Sequence, residues 1–174
     1  DVPIDEVTPD MRRLAKVMNF GIIYGLSAHG MSQQTDLNVY ESAKFIDSYF
    51  AKYPGIRFYV EEVKQQTRED LFTKTLLGRQ RPMPEINSPN VHVRQGAERV
   101  AINMPIQGTA ADIIKIAMIR IHDQMQKDEL ETRMLLQVHD ELIFESPPDE
   151  LNAIKTMILD LMPAALELSV PLKV

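Results

Sequence analysis

The stretch that most constrains the fold is residues 12–24, where two cations and two aromatic residues recur at four-residue steps. They are Arg12, Lys16, Phe20 and Tyr24. At the period of an α-helix these side chains lie along one stripe, and the helix begins with the positive end of its dipole. Cations followed by flat rings suit a ligand with phosphates at one end and a base at the other, such as a nucleoside triphosphate. The alternative is an amphipathic helix with a solvated basic edge, which is the usual role of a charged stripe.

Local signals set the limits of this helix and of its neighbours. Thr8 is a favourable N-cap before Pro9, and Gly25 favours a stop, so the helix is predicted over about 9–24. The same signals predict further helices over about 28–35, 38–52 and 55–71, and a strand over 74–77 that a turn at Gly78-Arg79 closes.

Composition narrows the class of protein. The 174 residues are 44% hydrophobic and 25% charged, which is enough for a core and ordinary for a soluble protein. The absence of cysteine excludes disulfides and thiolate metal sites, and no apolar run approaches the length of a membrane span. The formal net charge of −6 argues mildly against nucleic-acid binding. The distribution matters more than the sum, because basic residues cluster in the middle of the chain: Arg68, Lys74, Arg79, Arg81, Arg94 and Arg99.

A second polar stripe consists of Arg99, Asn103 and Gln107, again at four-residue steps. Pro105 lies among them and is predicted to kink or restart the helix near Met104, since proline removes a backbone donor. Side chains of these three types donate hydrogen bonds to acceptors in a nucleic-acid groove, such as purine N3 and pyrimidine O2. Polar residues that simply face water are an equally good interpretation of this stripe on its own.

The third pattern lies at residues 134–145, where two runs of β-forming residues flank His139 and Asp140. It predicts a β-hairpin with the His-Asp pair at its tight bend. Carboxylates of Asp140 and Glu141, held rigidly at a hairpin tip, can coordinate Mg²⁺, which takes few carboxylates plus substrate phosphates. Two alternatives stay open: an aspartate that simply favours a turn, and a His-Asp metal phosphohydrolase. In that enzyme class the pair normally lies on a helix, and the other histidines of this chain lack ligand spacing.

The three patterns belong to a set of four motifs that stand in a fixed order. The motifs are Arg-Arg-x-Ala-Lys-x-x-Asn-Phe-Gly-x-x-Tyr-Gly at 12–25, Gly-Arg-x-Arg at 78–81, Glu-Arg-x-x-x-Asn-x-Pro-x-Gln-Gly-Thr-Ala-Ala-Asp at 98–112, and Gln-Val-His-Asp-Glu at 137–141. This set closely resembles the family A DNA polymerases, the bacterial DNA polymerase I type. The resemblance covers almost the whole chain, from about residue 10 to residue 174.

The resemblance implies a role for each of these residues. The first motif corresponds to the helix of the fingers that closes over the incoming nucleotide. Arg12 and Lys16 would hold its phosphates, Phe20 would pack on the sugar, and Tyr24 would lie beside the templating base. Contacts with DNA are implied for Arg79 and Arg81 near the primer-template backbone, for Arg99, Asn103 and Gln107 in the minor groove, and for His139 near the primer end.

The resemblance also implies a metal-dependent reaction. Asp140 would be one carboxylate of a two-metal site, with Glu141 beside it and Lys16 contributing to catalysis. In that mechanism two Mg²⁺ ions activate the primer 3′-hydroxyl and stabilise the leaving pyrophosphate. Phe20, which has no hydroxyl, implies discrimination against dideoxynucleotides. The alternative is a non-catalytic nucleic-acid-binding module that kept the fold, and the retained carboxylates favour the polymerase.

The implied fold is α+β, an incomplete polymerase "right hand". Mostly helical fingers would occupy residues 1–90, with the nucleotide-binding helix at about 9–24. The later half of the palm, with a small antiparallel sheet and the His-Asp-Glu hairpin, would occupy 91–174. Family members carry another metal-binding Asp upstream of the fingers helix, and the motif around it is not found at Asp1, Asp5 or Asp10. We therefore expect the chain to work with an upstream polymerase segment and not to extend primers alone.

The partners that the resemblance implies are primer-template DNA and dNTPs, in DNA replication and repair. No membrane partner is expected. A bacterial-type location in the cytoplasm, associated with the nucleoid, is implied, with an organelle as the alternative. An exposed edge of the palm sheet would favour self-association of the chain, since unpaired strand edges pair readily.

Overall fold

The computed structural model of the chain describes residues 2–174, so Asp1 lies outside the described residues. The chain divides into two compact units, Asp1–Ile106 and Gln107–Val174. Helices combine with two small antiparallel sheets, which confirms the predicted α+β class. Within residues 2–174, no helix is both long and apolar enough to cross a membrane.

The helices of the first unit begin where their caps predict. Helix α1 spans Pro9–Ile23, and Thr8 Oγ1 accepts a hydrogen bond of 3.2 Å from a backbone N–H of the first turn. Helix α3 spans Val39–Lys52 and starts at a capping box, in which Asn38 and Glu41 exchange two side chain–backbone hydrogen bonds of 2.9 Å. Helix α2 spans Ala28–Ser32, and helix α4 spans Pro54–Asp70.

A small hairpin follows α4. Strand β1 spans Phe72–Lys74 and pairs antiparallel with strand β2, Gln80–Pro82. The strand predicted over 74–77 is therefore misplaced, because most of that segment belongs to the turn. The backbone reverses over 75–79, where Gly78 has a φ of +83°, a conformation that glycine adopts without steric cost.

Helix α5 spans Val91–Lys127 and contains Pro105 without an interruption, so the predicted restart does not occur. Pro105 cannot donate to the carbonyl of Ala101, four residues earlier. Thr73 Oγ1 donates to that carbonyl at 3.3 Å, and the hydroxyl of Tyr59 donates to the next carbonyl at 3.1 Å. Side chains from β1 and α4 thus donate hydrogen bonds to the carbonyls of the helical turn before the proline.

The hydrophobic core of the first unit lies between α4, α5 and the segment that joins β2 to α5. Its buried members are Met83, Ile86, Ala97 and Ala101. Helix α1 contributes little to the core, since Ile22 is the side chain that it buries fully. The side chains of α1 are therefore largely available to solvent or to a ligand.

The second unit is built on a hairpin and a helix. Strand β3 spans Arg133–Val138, strand β4 spans Glu141–Glu145, and helix α6 spans Leu151–Leu161. The strands pair antiparallel with an irregularity between Met134 and Leu136. One face of the hairpin packs against the core through Met134, Leu142 and Phe144, beside the buried residues Ile121, Met125 and Ile154.

Candidate nucleotide and metal sites

The predicted stripe of α1 is exposed and carries unpaired cations. Arg12 and Lys16 are both exposed, and neither takes part in an ion pair with a carboxylate of residues 2–174. Arg13, the neighbour on another face, is instead 3.7 Å from Asp10. Two cations without a counterion on one helix face can bind an anion without first breaking an ion pair.

The aromatic half of the stripe forms a stacked pair. The ring centroids of Phe20 and Tyr24 are 6.1 Å apart, with an interplanar angle of 21°. Phe20 is 54% exposed, whereas Tyr24 is half-buried. A ring that exposes half of its surface beside two cations can pack against a sugar or a base.

A cavity of about 290 Å³ opens beside this ring pair. Phe20 and Tyr24 line it together with Arg99, which belongs to the second polar stripe. The structure therefore brings Arg99 to the aromatic end of the α1 stripe, a proximity that four-residue spacing within α5 could not reveal. The cavity lining also includes Leu26 and Gln34, which the sequence did not indicate as site residues.

Asn103 carries an unsatisfied acceptor. Its Oδ1 atom is buried and has no hydrogen-bond partner among residues 2–174. A buried polar atom left without a partner costs roughly 1–3 kcal/mol, so the position favours a ligand that donates to it. Gln107, four residues along α5, is exposed.

The two arginines of the Gly-Arg-x-Arg motif lie on the β1–β2 hairpin. Arg79 ends the turn, where its backbone N–H donates to Thr75 Oγ1 at 3.1 Å. Arg81 lies on β2, opposite Thr73 of β1. Both arginine side chains are exposed, as contacts with a phosphate backbone require.

The predicted His-Asp hairpin is confirmed. Val138 and Glu141 are cross-strand partners, which leaves His139 and Asp140 as a two-residue turn. His139 has a φ of +55°, in the left-handed region that few residues other than glycine adopt. The amide of Gln137 donates to the carbonyl of His139 at 2.9 Å and supports this backbone conformation.

The turn presents two adjacent carboxylates. Asp140 and Glu141 are both exposed, and their oxygens are the hard ligands that Mg²⁺ prefers. The donor chemistry thus fits the predicted metal. Within residues 2–174, however, no group of three or more His, Cys, Asp or Glu side chains is arranged to hold a metal ion. The pair can therefore supply part of a magnesium site.

Exposed cations and carboxylates that can bind Mg²⁺ are both used by proteins that catalyse phosphoryl transfer. A family model described as DNA polymerase family A matches residues 1–174, and the chain therefore belongs to this family. DNA polymerase I of Mycobacterium tuberculosis (strain ATCC 25618 / H37Rv) is 49% identical over 173 residues, which are 99% of this chain and 19% of the relative. DNA polymerase I of Bacillus caldotenax is 48% identical over 170 residues, 98% of this chain and 19% of the relative.

A solved structure is similar over nearly the whole chain. It is the "POL domain of Pol1 from M. smegmatis complex with DNA primer-template and dNTP", with a TM-score of 0.94 and 46% sequence identity. The match covers 99% of this chain and 30% of that one. The chain thus spans about 19% of the length of the curated relatives that it matches.

Proposed function

We propose that this chain is part of a DNA-directed DNA polymerase and that α1 is its nucleotide-binding helix. The observation that carries the proposal is the stripe of α1, where two exposed cations without ion-pair partners precede a stacked aromatic pair. The solved relative from M. smegmatis is in complex with DNA primer-template and dNTP, which supports the same partners for this chain.

Different residues of the stripe bind different parts of a dNTP. Lys16 and Arg12 offset the negative charge of the triphosphate, which matters because phosphoryl transfer depends on positioning and charge neutralisation. Phe20 packs on the sugar, and Tyr24 lies beside the templating base. Arg99, at the same cavity, completes the aromatic end with a cation that can contact the template.

Asp140 and Glu141 provide the carboxylate side of the reaction. We propose that they bind Mg²⁺, which supplies Lewis-acid activation of the primer 3′-hydroxyl and charge stabilisation at the leaving pyrophosphate. The two-residue turn holds Asp140, Glu141 begins β4 directly after it, and His139 precedes both, where a primer end can approach. Because one carboxylate pair is an incomplete two-metal site, we expect the 174-residue chain alone not to extend a primer.

The remaining candidate residues contact primer-template DNA. Arg79 and Arg81 provide exposed cations for the phosphate backbone. Asn103 has a buried Oδ1 that needs a donor, and the N2 amino group of guanine is the donor that the minor groove offers. Gln107 is exposed and can reach a base edge in the same groove.

The larger assignments follow from these roles. We propose that residues 1–90 are fingers and residues 91–174 are the later part of the palm. An upstream polymerase segment is the partner that completes the site, and replication and repair of DNA in the bacterial nucleoid is the setting. Self-association is a further proposal, supported by exposed apolar side chains on the β3–β4 hairpin: Leu135, Leu136, Val138 and Ile143.

Primer extension tests the proposal. A chimera in which this chain replaces the matching 173 residues of the M. tuberculosis relative is assayed with Mg²⁺ and a primed template. The assignment is supported if the chimera extends the primer and Asp140→Ala abolishes this extension. Asp149→Ala, which removes an exposed aspartate of the same unit, is the control. The 174-residue chain is assayed in parallel.

A binding module without catalysis is the alternative. It predicts that the chimera retains affinity for primer-template DNA but does not extend the primer. Extension that survives Asp140→Ala would remove Asp140 from the metal site. Extension by the 174-residue chain alone would show that it completes a metal site without an upstream segment.

A further inference from the structure

The connection between α1 and α2, here called the elbow (residues 21–30), ends α1 with two capping hydrogen bonds. Leu26 N donates to the carbonyl of Gly21 at 2.7 Å, and Gly25 N donates to the carbonyl of Ile22 at 3.0 Å. Gly25 has a φ of +78°. This is a Schellman motif, in which the residue after the left-handed glycine usually makes an apolar contact with the residue three before the C-cap. Here that earlier residue is Gly21, which has no side chain to offer.

Leu26 fills the space that two glycines leave open. A Cβ atom added to Gly21 would lie 2.7 Å from Leu26 Cδ2, and one added to Gly30 would lie 2.7 Å from Leu26 Cδ1. Both distances are far shorter than the 3.5–4.0 Å of a normal carbon–carbon contact. One methyl group of Leu26 therefore sits in each glycine socket, one on α1 and one on α2.

The elbow also fixes the neighbourhood of the candidate nucleotide site. Tyr24 is the C-cap of α1, two residues before Leu26, and both residues line the cavity of about 290 Å³ with Arg99. A Cβ atom on Gly25 would lie 3.2 Å from Arg99 Cγ, so the elbow backbone already rests closely on the arginine side chain. A change in the position of the Leu26 side chain would therefore move Tyr24 relative to Arg99.

We propose that Leu26 is a positioning residue for nucleotide selection: held between Gly21 and Gly30, it sets where Tyr24 stands against Arg99 at the templating base. Leu26 acts through the elbow and contacts no reacting atom. The inference rests on the proposed polymerase function, because it assigns a purpose to the geometry of that site.

A double-mutant cycle tests whether Leu26 is held against Gly30. In the 174-residue chain, Gly30→Ala introduces a methyl group that collides with Leu26, and Leu26→Ala removes the group with which it collides. We expect each single variant to lower the thermal midpoint. The double variant should lower it by less than the sum of the two single decreases, since the effects of substitutions at contacting residues are not additive. Additive shifts of the thermal midpoint would show that Leu26 is not held against Gly30.

Steady-state kinetics in the M. tuberculosis chimera test whether Leu26 contributes to nucleotide selection. Leu26→Ala should lower kcat/KM for the matched nucleotide by roughly 10- to 100-fold, since a misplacement of about 1 Å can cost that much. The ratio of matched to mismatched kcat/KM should fall, whereas Kd for primer-template DNA should not change. Leu26→Met conserves the volume and should restore most of the ratio. Leu37→Ala, which truncates another half-buried leucine between α2 and α3, is the control.

The outcomes separate the two proposals. A chimera that extends primers while Leu26→Ala keeps the wild-type ratio overturns the inference and leaves the proposed function standing. A fall in kcat/KM that is equal for matched and mismatched nucleotides shows a merely structural role and also overturns it. A chimera that does not extend primers at all overturns the proposed function and, with it, the role of Leu26 in selection.

Discussion

The α1 stripe and the His139-Asp140 turn present their functional groups in opposite ways. On α1, regular helical geometry places Arg12, Lys16 and Phe20 on one face, and Tyr24 follows as the C-cap at a negative φ. In the β3–β4 hairpin, two residues hold the carboxylate tip, and one of them, His139, has a φ of +55°. The helix site depends on periodicity, whereas the hairpin site depends on a single strained turn.

This difference determines how each site responds to substitution. A side chain removed from the stripe leaves the backbone of α1 in place, so the loss should appear in nucleotide binding and rate rather than in stability. A change in the hairpin turn alters the backbone that carries Asp140, so stability and activity should change together.

Within the stripe, the largest effect should come from Lys16. In the M. tuberculosis chimera, Lys16→Ala should lower kcat by roughly 10²- to 10³-fold, comparable to the loss of one preorganised charge-stabilising donor in other enzymes. Because Lys16 is exposed, the thermal midpoint should not change. Lys44→Ala, an exposed lysine of α3, is the matched control. A fall in the thermal midpoint would show that the stripe also supports the fold, which would break the contrast.

The second effect concerns nucleotide selection by Phe20, the ring that we propose packs on the sugar. Phe20→Tyr adds a hydroxyl to a ring that is 54% exposed, so it should be tolerated without repacking. Incorporation of dideoxynucleotides relative to dNTPs should rise by roughly tenfold or more, the worth of one hydrogen bond to a charged group. The measurement is the ratio of kcat/KM for the two nucleotides with wild type and variant. An unchanged ratio would count against the placement of Phe20 at the sugar.

The sequence predicted what local chemistry decides. Thr8 and Asn38 cap α1 and α3 as expected, because a capping side chain bonds to a backbone N–H within its own turn. The bend at His139-Asp140 also followed from the apolar runs on either side. These features depend on neighbours in the chain, so one sequence was sufficient.

The features that the sequence did not reveal depend on contacts between distant segments. Arg99 lines the cavity beside Phe20 only because α5 lies next to α1 in the first unit. The carbonyl of Ala101 is served by Thr73, 28 residues away, which allows α5 to continue through Pro105. The positive φ of His139 likewise does not follow from residue type alone, since histidine adopts positive φ more often than most non-glycine residues but only in a minority of cases.

The third prediction concerns pH and the base of the hairpin. The carboxylate of Glu150 accepts hydrogen bonds from Glu131 N at 2.8 Å, Thr132 N at 2.9 Å and Thr132 Oγ1 at 2.6 Å. The Thr132 hydroxyl first, and then the backbone donors, hold the pKa of Glu150 below its ordinary value of 4.5. A lowered folded-state pKa stabilises the fold above the unfolded-state pKa, and this contribution is lost as the pH falls through the folded-state pKa.

Urea unfolding followed from neutral pH down into the acid range measures this contribution. Wild type should lose more stability on acidification than Glu150→Gln, whose side chain cannot ionise. Glu145→Gln, an exposed glutamate at the end of β4, is the control and should follow wild type. Parallel curves for wild type and Glu150→Gln would show that the hydrogen bonds at the hairpin base do not favour the ionised carboxylate.

The smallest effect should come from the turn itself. His139→Gly should make the left-handed conformation easier to adopt and raise the free energy of unfolding by about 1 kcal/mol, the typical cost of a non-glycine residue at positive φ. His139→Val should lower it by a similar amount, because β-branched residues are the least tolerant of positive φ. The measurement is urea unfolding of the 174-residue chain, with the two variants compared at equal m-values. If both variants change stability in the same direction, the imidazole rather than the backbone governs the turn, and the two sites would then both depend on their side chains.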